Sequence, residues 1–294
     1  MVSVLIPVYN QYRELAISLS AFEKQMVGEN YEIVVVDDAS SEKDMSVIDR
    51  HFRNNRGKIT YIEHKSNKGR AATRNDAIDI SKGDVLVFND ADRFPDQDFL
   101  NQHIRTLQNH SGAISVGRVL ESYDSVEKLT DSALHSVVKR KAMYYRVIET
   151  LFDPFGMSDS ALKWLATLSG NMAIRKETLA RERFDEAFTE WGFEHFELGY
   201  RLLKQGCDIV LTRGAINTHI AHSRSDMNYL EQIEKSHEIF YKKHKTNDVK
   251  MMKDFLRGSI SLQQYERVLH GPKQWMSGKK EMYNHIFAVR KKEE

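Results

Sequence analysis

The sequence predicts an α/β fold in which a mostly parallel central sheet is flanked by helices. Short, continuously apolar runs alternate with segments of helical spacing through the first half of the chain. Strands that are buried on both faces read as continuous apolar runs, and their alternation with helices is typical of a doubly wound parallel sheet. No strand is expected between residues 125 and 168. We expect strands at 2–8, 31–36, 59–63, 84–88, 113–119, 171–174 and 209–211.

The expected helices follow from apolar residues that recur every three or four positions. In the first of them, Leu15, Leu19 and Phe22 share one face. A polar, helical tail is expected from residue 229 onward. The other helices are expected at 42–54, 69–81, 134–151, 161–168 and 191–205.

The composition is that of a folded globular protein, with 41% hydrophobic and 29% charged residues in a chain of 294. The net charge of +1 gives no electrostatic reason to expect a nucleic-acid partner. The single cysteine, Cys207, rules out a disulfide within the chain and fits a reducing compartment. No apolar run reaches the roughly 20 residues of a transmembrane segment. We therefore expect a cytoplasmic protein, whose modestly basic tail leaves peripheral membrane contact open.

Two carboxylates, Asp90 and Asp92, follow the apolar run at 84–88. Residues two apart in extended backbone point to the same side, so the pair would lie together at the carboxyl end of a strand, where open α/β folds bind ligands. Two carboxylates at close range repel one another unless a cation lies between them. A hard divalent metal carrying a diphosphate is the natural occupant. The alternative is a solvated turn, in which Asp is common.

Two more strand ends carry residues suited to a ligand, Tyr9 after the first strand and Asp38 after the second. The carboxyl ends of parallel strands share one edge, so we expect one crevice lined by these two residues with Asp90 and Asp92. A ring, a carboxylate that accepts from a base N–H and a metal-binding pair together describe a nucleotide-diphosphate pocket. The absence of glycine-rich dinucleotide and Walker loops from the sequence argues against a dinucleotide enzyme or a P-loop ATPase. Alternatively, Asp38 caps a helix that starts near Ser41.

Four segments, taken in order, resemble family 2 glycosyltransferases of the GT-A fold: residues 2–10, 34–40, 67–75 and 89–92. The resemblance covers roughly the first hundred residues. It implies a Rossmann-like GT-A sheet and an inverting sugar transfer from a nucleotide-diphosphate sugar. It also implies a divalent cofactor, Mn²⁺ or Mg²⁺.

The resemblance also implies roles for individual residues. Tyr9 would flank the nucleobase, and Asp38 would accept an N–H of the base, most often uracil. Arg74 would lie beside the base or the diphosphate, although a surface position on a helix is the alternative. Asp90 would hold the ribose or approach the metal, and Asp92 would bind the metal. The full donor-binding set is Pro7, Tyr9, Asp38, Arg74, Asp90 and Ala91, with Asp92 as metal ligand.

The second half resembles the acceptor half of galactosyl-, N-acetylgalactosaminyl- and chondroitin-type transferases at residues 169–175 and 191–198. In that branch a Trp-Gly segment opens a helix that bears Glu-Asp or Glu-Asn. Glu194 is the predicted base, and His195, which stands where Asp or Asn is usual, would share or replace that role. Alternatively, Glu194 only stabilises the helix N-terminus. The predicted sugar contacts are Gly170, Asn171, Trp191 and Gly192.

Two histidines follow the predicted acceptor helix, and in related peptide N-acetylgalactosaminyltransferases a histidine there completes the metal shell. His222 matches that position best, with His219 in reserve. Imidazole suits Mn²⁺ better than Mg²⁺, so a bound His222 favours manganese.

Together these features predict a metal-dependent, inverting glycosyltransferase that moves galactose or an N-acetylhexosamine from a UDP-sugar to an acceptor hydroxyl. The acceptor stays open among a glycan, a lipid-linked glycan, a peptide and a small molecule. The alternatives are a nucleotidyltransferase acting on sugar phosphates and a non-catalytic module that binds nucleotide-sugar or glycan. The predicted domains are a GT-A domain at 1–223, comprising a nucleotide-sugar half at 1–112 and an acceptor half at 113–223, and a helical C-terminal extension at 224–294.

Overall fold

The computed structural model describes residues 1–55, 58–129, 137–180, 182–189, 192–221 and 226–270. Two predicted site residues, Trp191 and His222, lie outside these ranges. The start of the helix predicted at 134–151 and the end of the predicted tail also lie outside them.

One mixed sheet runs through the described part of the chain. Its strands are β1 (Val2–Val8), β2 (Tyr31–Asp37), β3 (Ile59–Glu63), β4 (Val85–Asn89), β5 (Arg93–Pro95), β6 (Ala113–Ser122), β7 (Arg140–Lys141), β8 (Asn171–Arg175) and β9 (Asp208–Ile220). The order is β3-β2-β1-β4-β8-β6-β9-β5, with β7 paired to β6. Because β1 pairs in parallel with both β2 and β4, the carboxyl ends of these three strands share one edge, as predicted.

Helices cover both faces of the sheet. They are α1 (Tyr12–Glu23), α2 (Asp49–Asn54), α3 (Arg70–Ile80), α4 (Phe99–Asn109), α5 (Met143–Ile148), α6 (Lys176–Leu179), α7 (Glu194–Lys204), α8 (Asp226–His244), α9 (Asn247–Leu256) and α10 (Leu262–His270). In β1, Val4 and Ile6 point toward α1 and α4, while Leu5 points to the other face with Val34 and Phe88. This burial on both faces explains the continuously apolar runs of the sequence.

The C-terminal helices α8–α10 are part of the main core. Their buried side chains join the same apolar cluster as α7 and the sheet, through Ile233, Phe240, Val249, Met252, Phe255 and Tyr265. Among the described residues, none of the helices has the length and hydropathy that crossing a membrane requires.

Several elements differ from their predicted form. The helix predicted at 42–54 is a short 3₁₀ turn, Met45–Val47, followed by α2, since Asp44 accepts from Ser46 N and caps the turn. Helix α4 and strand β5 were not predicted. The helix predicted at 161–168 is a 3₁₀ turn, Lys163–Ala166.

The region predicted to lack strands contains β7, which pairs with the end of β6. Strand β9 is longer than the predicted 209–211, because β6 and β5 together supply partners along most of its length. Helix α7 begins at Glu194, three residues after the predicted start.

Candidate active site

A cavity of about 950 Å³ opens at the sheet edge where β1, β2 and β4 end. Residues from both halves of the chain line it, because α7 and the start of β8 face the same edge. The predicted site residues that line it are Pro7, Tyr9, Asp38, Arg74, Asp90, Ala91, Asp92, Gly170, Glu194, His195 and His219. The structure therefore brings most of the predicted set into one space.

Asp38 is buried at the end of β2, and the neighbouring loop fixes its carboxylate. Oδ1 accepts from His64 Nδ1 and from the Lys68 backbone N–H, both at 2.8 Å, and Oδ2 accepts from Gly69 N at 2.8 Å. No helix begins near Ser41 in this described stretch, so the alternative role of Asp38 as a helix cap is wrong. A carboxylate offers about four acceptor directions, so one remains on Oδ2 for a ligand N–H.

Arg74 of α3 joins two carboxylates that are far apart in sequence. Its Nη2 donates to Asp90 Oδ1 at 2.8 Å, and its Nη1 donates to Glu194 Oε1 at 2.7 Å. The side chain is 2% exposed and its guanidinium lies 5.6 Å from the centre of the Phe184 ring. The surface alternative for Arg74 is therefore wrong, and the residue links the end of β4 to the start of α7.

Neighbouring cations keep both of these carboxylates ionised. Burial alone would raise the pKa of Glu194, but His195, Arg74 and Arg70 together lower it to about 2. Burial likewise opposes ionisation of Asp90, yet Arg74 and Arg93 hold its pKa well below the usual range. Both side chains are therefore charged at neutral pH.

Arg93 is a site residue that was not predicted. Its Nε lies 3.3 Å from Asp90 Oδ2, and its Nη1 donates to Tyr145 Oη at 3.5 Å. Burial lowers the pKa of Arg93, but Tyr145, Asp90 and Asp92 more than offset this and raise it. A Cβ at Gly170 would lie 2.3 Å from Arg93 Nε, so the glycine leaves room for this cation. The position of Arg93 directly after the predicted metal ligand Asp92 is the signal by which it could have been identified from the sequence.

The two carboxylate oxygens of Asp92 differ in their hydrogen-bond partners. Oδ2 accepts from Gln11 Nε2 at 3.3 Å and lies 3.4 Å from His219 Nε2. Oδ1 is buried and has no partner among the described residues. Burial raises the pKa of Asp92, but the contact with His219 and the charge of Arg93 lower it overall.

This donor set fits a divalent cation, because the ionised carboxylate keeps one oxygen without a partner, Oδ1, and lies beside the imidazole of His219. Within the described ranges, no three acidic, histidine or cysteine side chains converge as a complete metal cluster. The preferred predicted ligand, His222, falls outside those ranges.

Glu194 and His195 open α7, directly after Phe193, whose φ of +78° turns the chain into the helix. His195 Nδ1 lies 3.4 Å from Glu194 Oε1, and the imidazole packs on the Phe196 ring at 4.3 Å. Glu194 Oε2 and His195 Nε2 are buried, and the described part of the chain offers neither of them a partner. Two proton-accepting atoms thus stay available at one point of the cavity wall.

Two predicted sugar contacts do not line the cavity. Asn171 is buried behind it, where it bonds His103, Asn217 and the carbonyls of Arg118 and Ala215. Its role in this structure is to join α4, β6 and β9. Gly192 likewise lies outside the cavity lining.

Comparison with known proteins identifies relatives over most of the chain. Residues 3–181 match the model of Glycosyl transferase family 2. The chain is 25% identical over 255 residues to an uncharacterized glycosyltransferase, YfnE, of Bacillus subtilis (strain 168), covering 75% of this chain and 64% of that protein. It is 26% identical over 238 residues to the chondroitin synthase of Pasteurella multocida (strain Pm70), covering 74% of this chain and 24% of that protein. The chain thus spans less than two thirds of both relatives.

Solved structures share the fold at low identity. The Staphylococcus aureus TarS fragment 1–349 in complex with UDP has a TM-score of 0.58 at 16% identity, covering 88% of this chain and 72% of that one. GalNAc-T7 with UDP, GalNAc and Mn²⁺ has a TM-score of 0.58 at 16% identity, covering 83% and 51% of the two chains.

Proposed function

This chain belongs to glycosyl transferase family 2 and has the GT-A fold, and we propose that it transfers a hexosyl group from a UDP-sugar to an acceptor hydroxyl. The proposed reaction is a metal-assisted single displacement that inverts the anomeric carbon. One observation carries the proposal: a single cavity collects a fixed carboxylate, a half-partnered carboxylate beside a histidine, and two proton-accepting groups. Neither alternative, a nucleotidyltransferase or a non-catalytic module, gains support from the family match.

Asp38 supports uridine as the nucleoside. Its remaining acceptor direction suits a base that presents a ring N–H, such as N3–H of uracil, whereas cytosine presents a lone pair at that ring position. Tyr9 is 47% exposed at the cavity and offers a ring face to such a base. The UDP bound in the TarS and GalNAc-T7 structures supports the same choice.

The carboxylate of Asp92 is the main argument for a divalent metal in the proposed reaction, with His222 and His219 as candidate imidazole ligands. A divalent ion held there would neutralise charge on the departing diphosphate. Arg93 adds a permanent positive charge directly after Asp92 in the sequence, on the same cavity wall. Imidazole donors favour Mn²⁺, the ion named with GalNAc-T7.

The ion pairs support inversion. Asp90 and Glu194 are both paired with Arg74, and a carboxylate neutralised in this way is a poor nucleophile. A covalent sugar–enzyme intermediate is therefore disfavoured, and direct attack by the acceptor oxygen is favoured. Galactose and N-acetylhexosamines remain the proposed sugars, in keeping with the chondroitin synthase relative.

A thermal-shift comparison of UDP and CDP, each with and without Mn²⁺, tests the donor site. A ligand that binds only the folded protein raises its melting temperature. We expect UDP with Mn²⁺ to raise it, CDP to do so much less, and Asp38→Asn to remove the difference. Asp159→Asn, at an exposed aspartate outside the cavity, is the matched control.

Transfer itself is tested with UDP-glucose, UDP-galactose and both UDP-N-acetylhexosamines, using water as the acceptor. Release of UDP, with the sugar appearing first as the β-anomer by NMR, is the expected result. No stabilisation by any nucleoside diphosphate with Mn²⁺ would contradict the donor site. Retention of the α-configuration would contradict single displacement.

A further inference from the structure

We propose that the imidazole of His195 accepts the proton of the acceptor hydroxyl, and that Arg74 and Glu194 are positioning residues that hold this imidazole in place. The inference rests on the proposed function and divides the work among three residues of its site. It replaces Glu194, the base expected from the sequence, with its neighbour.

Glu194 is held from two sides. Oε1 accepts from Arg74 Nη1 at 2.7 Å and lies 3.4 Å from His195 Nδ1, so the carboxylate is clamped between a guanidinium and an imidazole. The side chain is 2% exposed. Burial raises the pKa of Glu194, but His195 and then Arg74 stabilise the charged carboxylate, so its pKa is lowered and its affinity for a proton is weakened.

His195 has the opposite character. Its Nδ1 faces the carboxylate, which stabilises the tautomer that carries the proton on Nδ1 and leaves a lone pair on Nε2. Nε2 has no hydrogen-bond partner in the described part of the chain, while the ring packs on Phe196 at 4.3 Å. The residue lines the cavity and is more exposed than Glu194, at 11%. A carboxylate that orients an imidazole whose far nitrogen takes the proton is an established general-base arrangement.

The proposed step balances without another reactant. The acceptor oxygen forms a bond to the anomeric carbon as its proton passes to His195 Nε2. The bond from the anomeric carbon to the diphosphate oxygen breaks, and the electron pair leaves with UDP. The resulting imidazolium is stabilised by Glu194, whose own charge is anchored by Arg74.

Substitutions at His195 test the proton acceptor, with UDP release from the UDP-sugars above into water as the assay. His195→Asn should lower kcat about 10²- to 10⁴-fold, the usual contribution of a general base, with UDP affinity unchanged. His195→Asp should keep measurable activity, because it supplies a carboxylate that can accept the proton in place of the imidazole.

The charges of Glu194, Arg74 and Arg70 act on this point, and His195→Asn leaves all three of those residues in place. His110→Asp, at an exposed histidine outside the cavity, controls for the added charge.

Arg74 is tested by rescue. Arg74→Met should lower kcat more than it raises the KM for donor, and Arg74→Lys should recover part of kcat. A purely structural arginine would instead lower the amount of folded enzyme and leave kcat per folded molecule unchanged.

The outcomes distinguish the two levels of the proposal. Wild-type enzyme that releases no UDP from any UDP-sugar would overturn the proposed function and this inference with it. Normal UDP release in the wild type, together with near-normal kcat in His195→Asn, would overturn only the assignment of His195. In that case Glu194→Gln should carry the full loss.

Discussion

The two ends of the cavity differ in how many polar atoms the protein itself satisfies. One end is named the base end after the nucleobase proposed to bind there, and it is formed by Asp38 with His64, Lys68 and Gly69. Three hydrogen bonds of 2.8 Å hold its carboxylate. At the reaction end, formed by Asp92, Glu194 and His195, each residue keeps one buried atom for which the described residues supply no partner.

This difference indicates how the site divides recognition from chemistry. A buried polar atom without a partner costs about 1–3 kcal/mol, and native proteins retain few of them. At the reaction end that cost is recovered when a cation, donor or acceptor supplies the missing partner. The base end already satisfies most of its carboxylate, and under the proposed function it needs only a ring with an N–H. Changes at the base end should therefore act on affinity, and changes at the reaction end on turnover.

The largest effect is expected from Asp92→Asn. The amide weakens metal binding and removes one negative charge, so stabilisation of the departing diphosphate is lost and kcat should fall about 10³-fold. UDP binding, followed by calorimetry with and without Mn²⁺, should lose its metal dependence. Unchanged metal dependence in the variant would remove Asp92 from the reaction end, and Asp159→Asn should behave as wild type.

The next largest effect is on stability and comes from Arg74, which links the end of β4 to the start of α7. Arg74→Met leaves the buried carboxylate of Glu194 without its guanidinium partner, which should cost about 3–5 kcal/mol of unfolding free energy. Urea unfolding measures this loss. Arg183→Met, in an exposed pair with Asp79, should cost no more than about 1 kcal/mol. Equal losses of unfolding free energy in the two variants would mean that Arg74 does not hold the end of β4 to the start of α7.

The base end could largely be predicted from sequence, because its placement depends on local patterns. The apolar runs of β1, β2 and β4 are continuous, and their parallel pairing brings Tyr9, Asp38 and Asp92 to one edge. The reaction end depends on contacts between distant segments. The two partners of Arg74 lie 16 and 120 residues away, and no periodicity encodes such a contact.

Asn171 shows how one missed element changes the assignment of a residue. Helix α4 was not predicted, although Leu100, Ile104 and Leu107 mark its buried face. His103 of this helix forms a hydrogen bond with the Asn171 side chain, which the sequence had led us to predict as a sugar contact. Strand β9 was also underestimated, because polar residues such as Asn217 interrupt its apolar pattern, and Asn217 is a second partner of Asn171.

A smaller effect is expected in the acid range of stability. The pKa of Glu194 is lowered from 4.5 to about 2 in the folded protein, so its contribution is present above pH 4.5 and is lost as the pH falls toward 2. The linked change is at most about 3 kcal/mol. Urea unfolding between pH 5 and 3 should therefore show a shallower pH dependence for Glu194→Gln than for wild type. Exposed Glu42→Gln should leave the slope as it is, and an unaltered slope in Glu194→Gln would contradict the ion pair.

The smallest effect is expected at the base end, from His64→Asn. His64 bridges Asp38 and Asp76, at 2.8 Å from each, and its loss removes one of three bonds that orient Asp38. Because one hydrogen bond contributes about 1 kcal/mol, the Kd for UDP should rise about fivefold while kcat stays near wild type. His51→Asn is the matched control, since His51 is also buried and bonds Glu23 at 2.8 Å, and Glu23, unlike Asp38, does not line the cavity. A fall in kcat with unchanged UDP affinity in His64→Asn would break the division between the two ends, because a base-end change would then act on turnover.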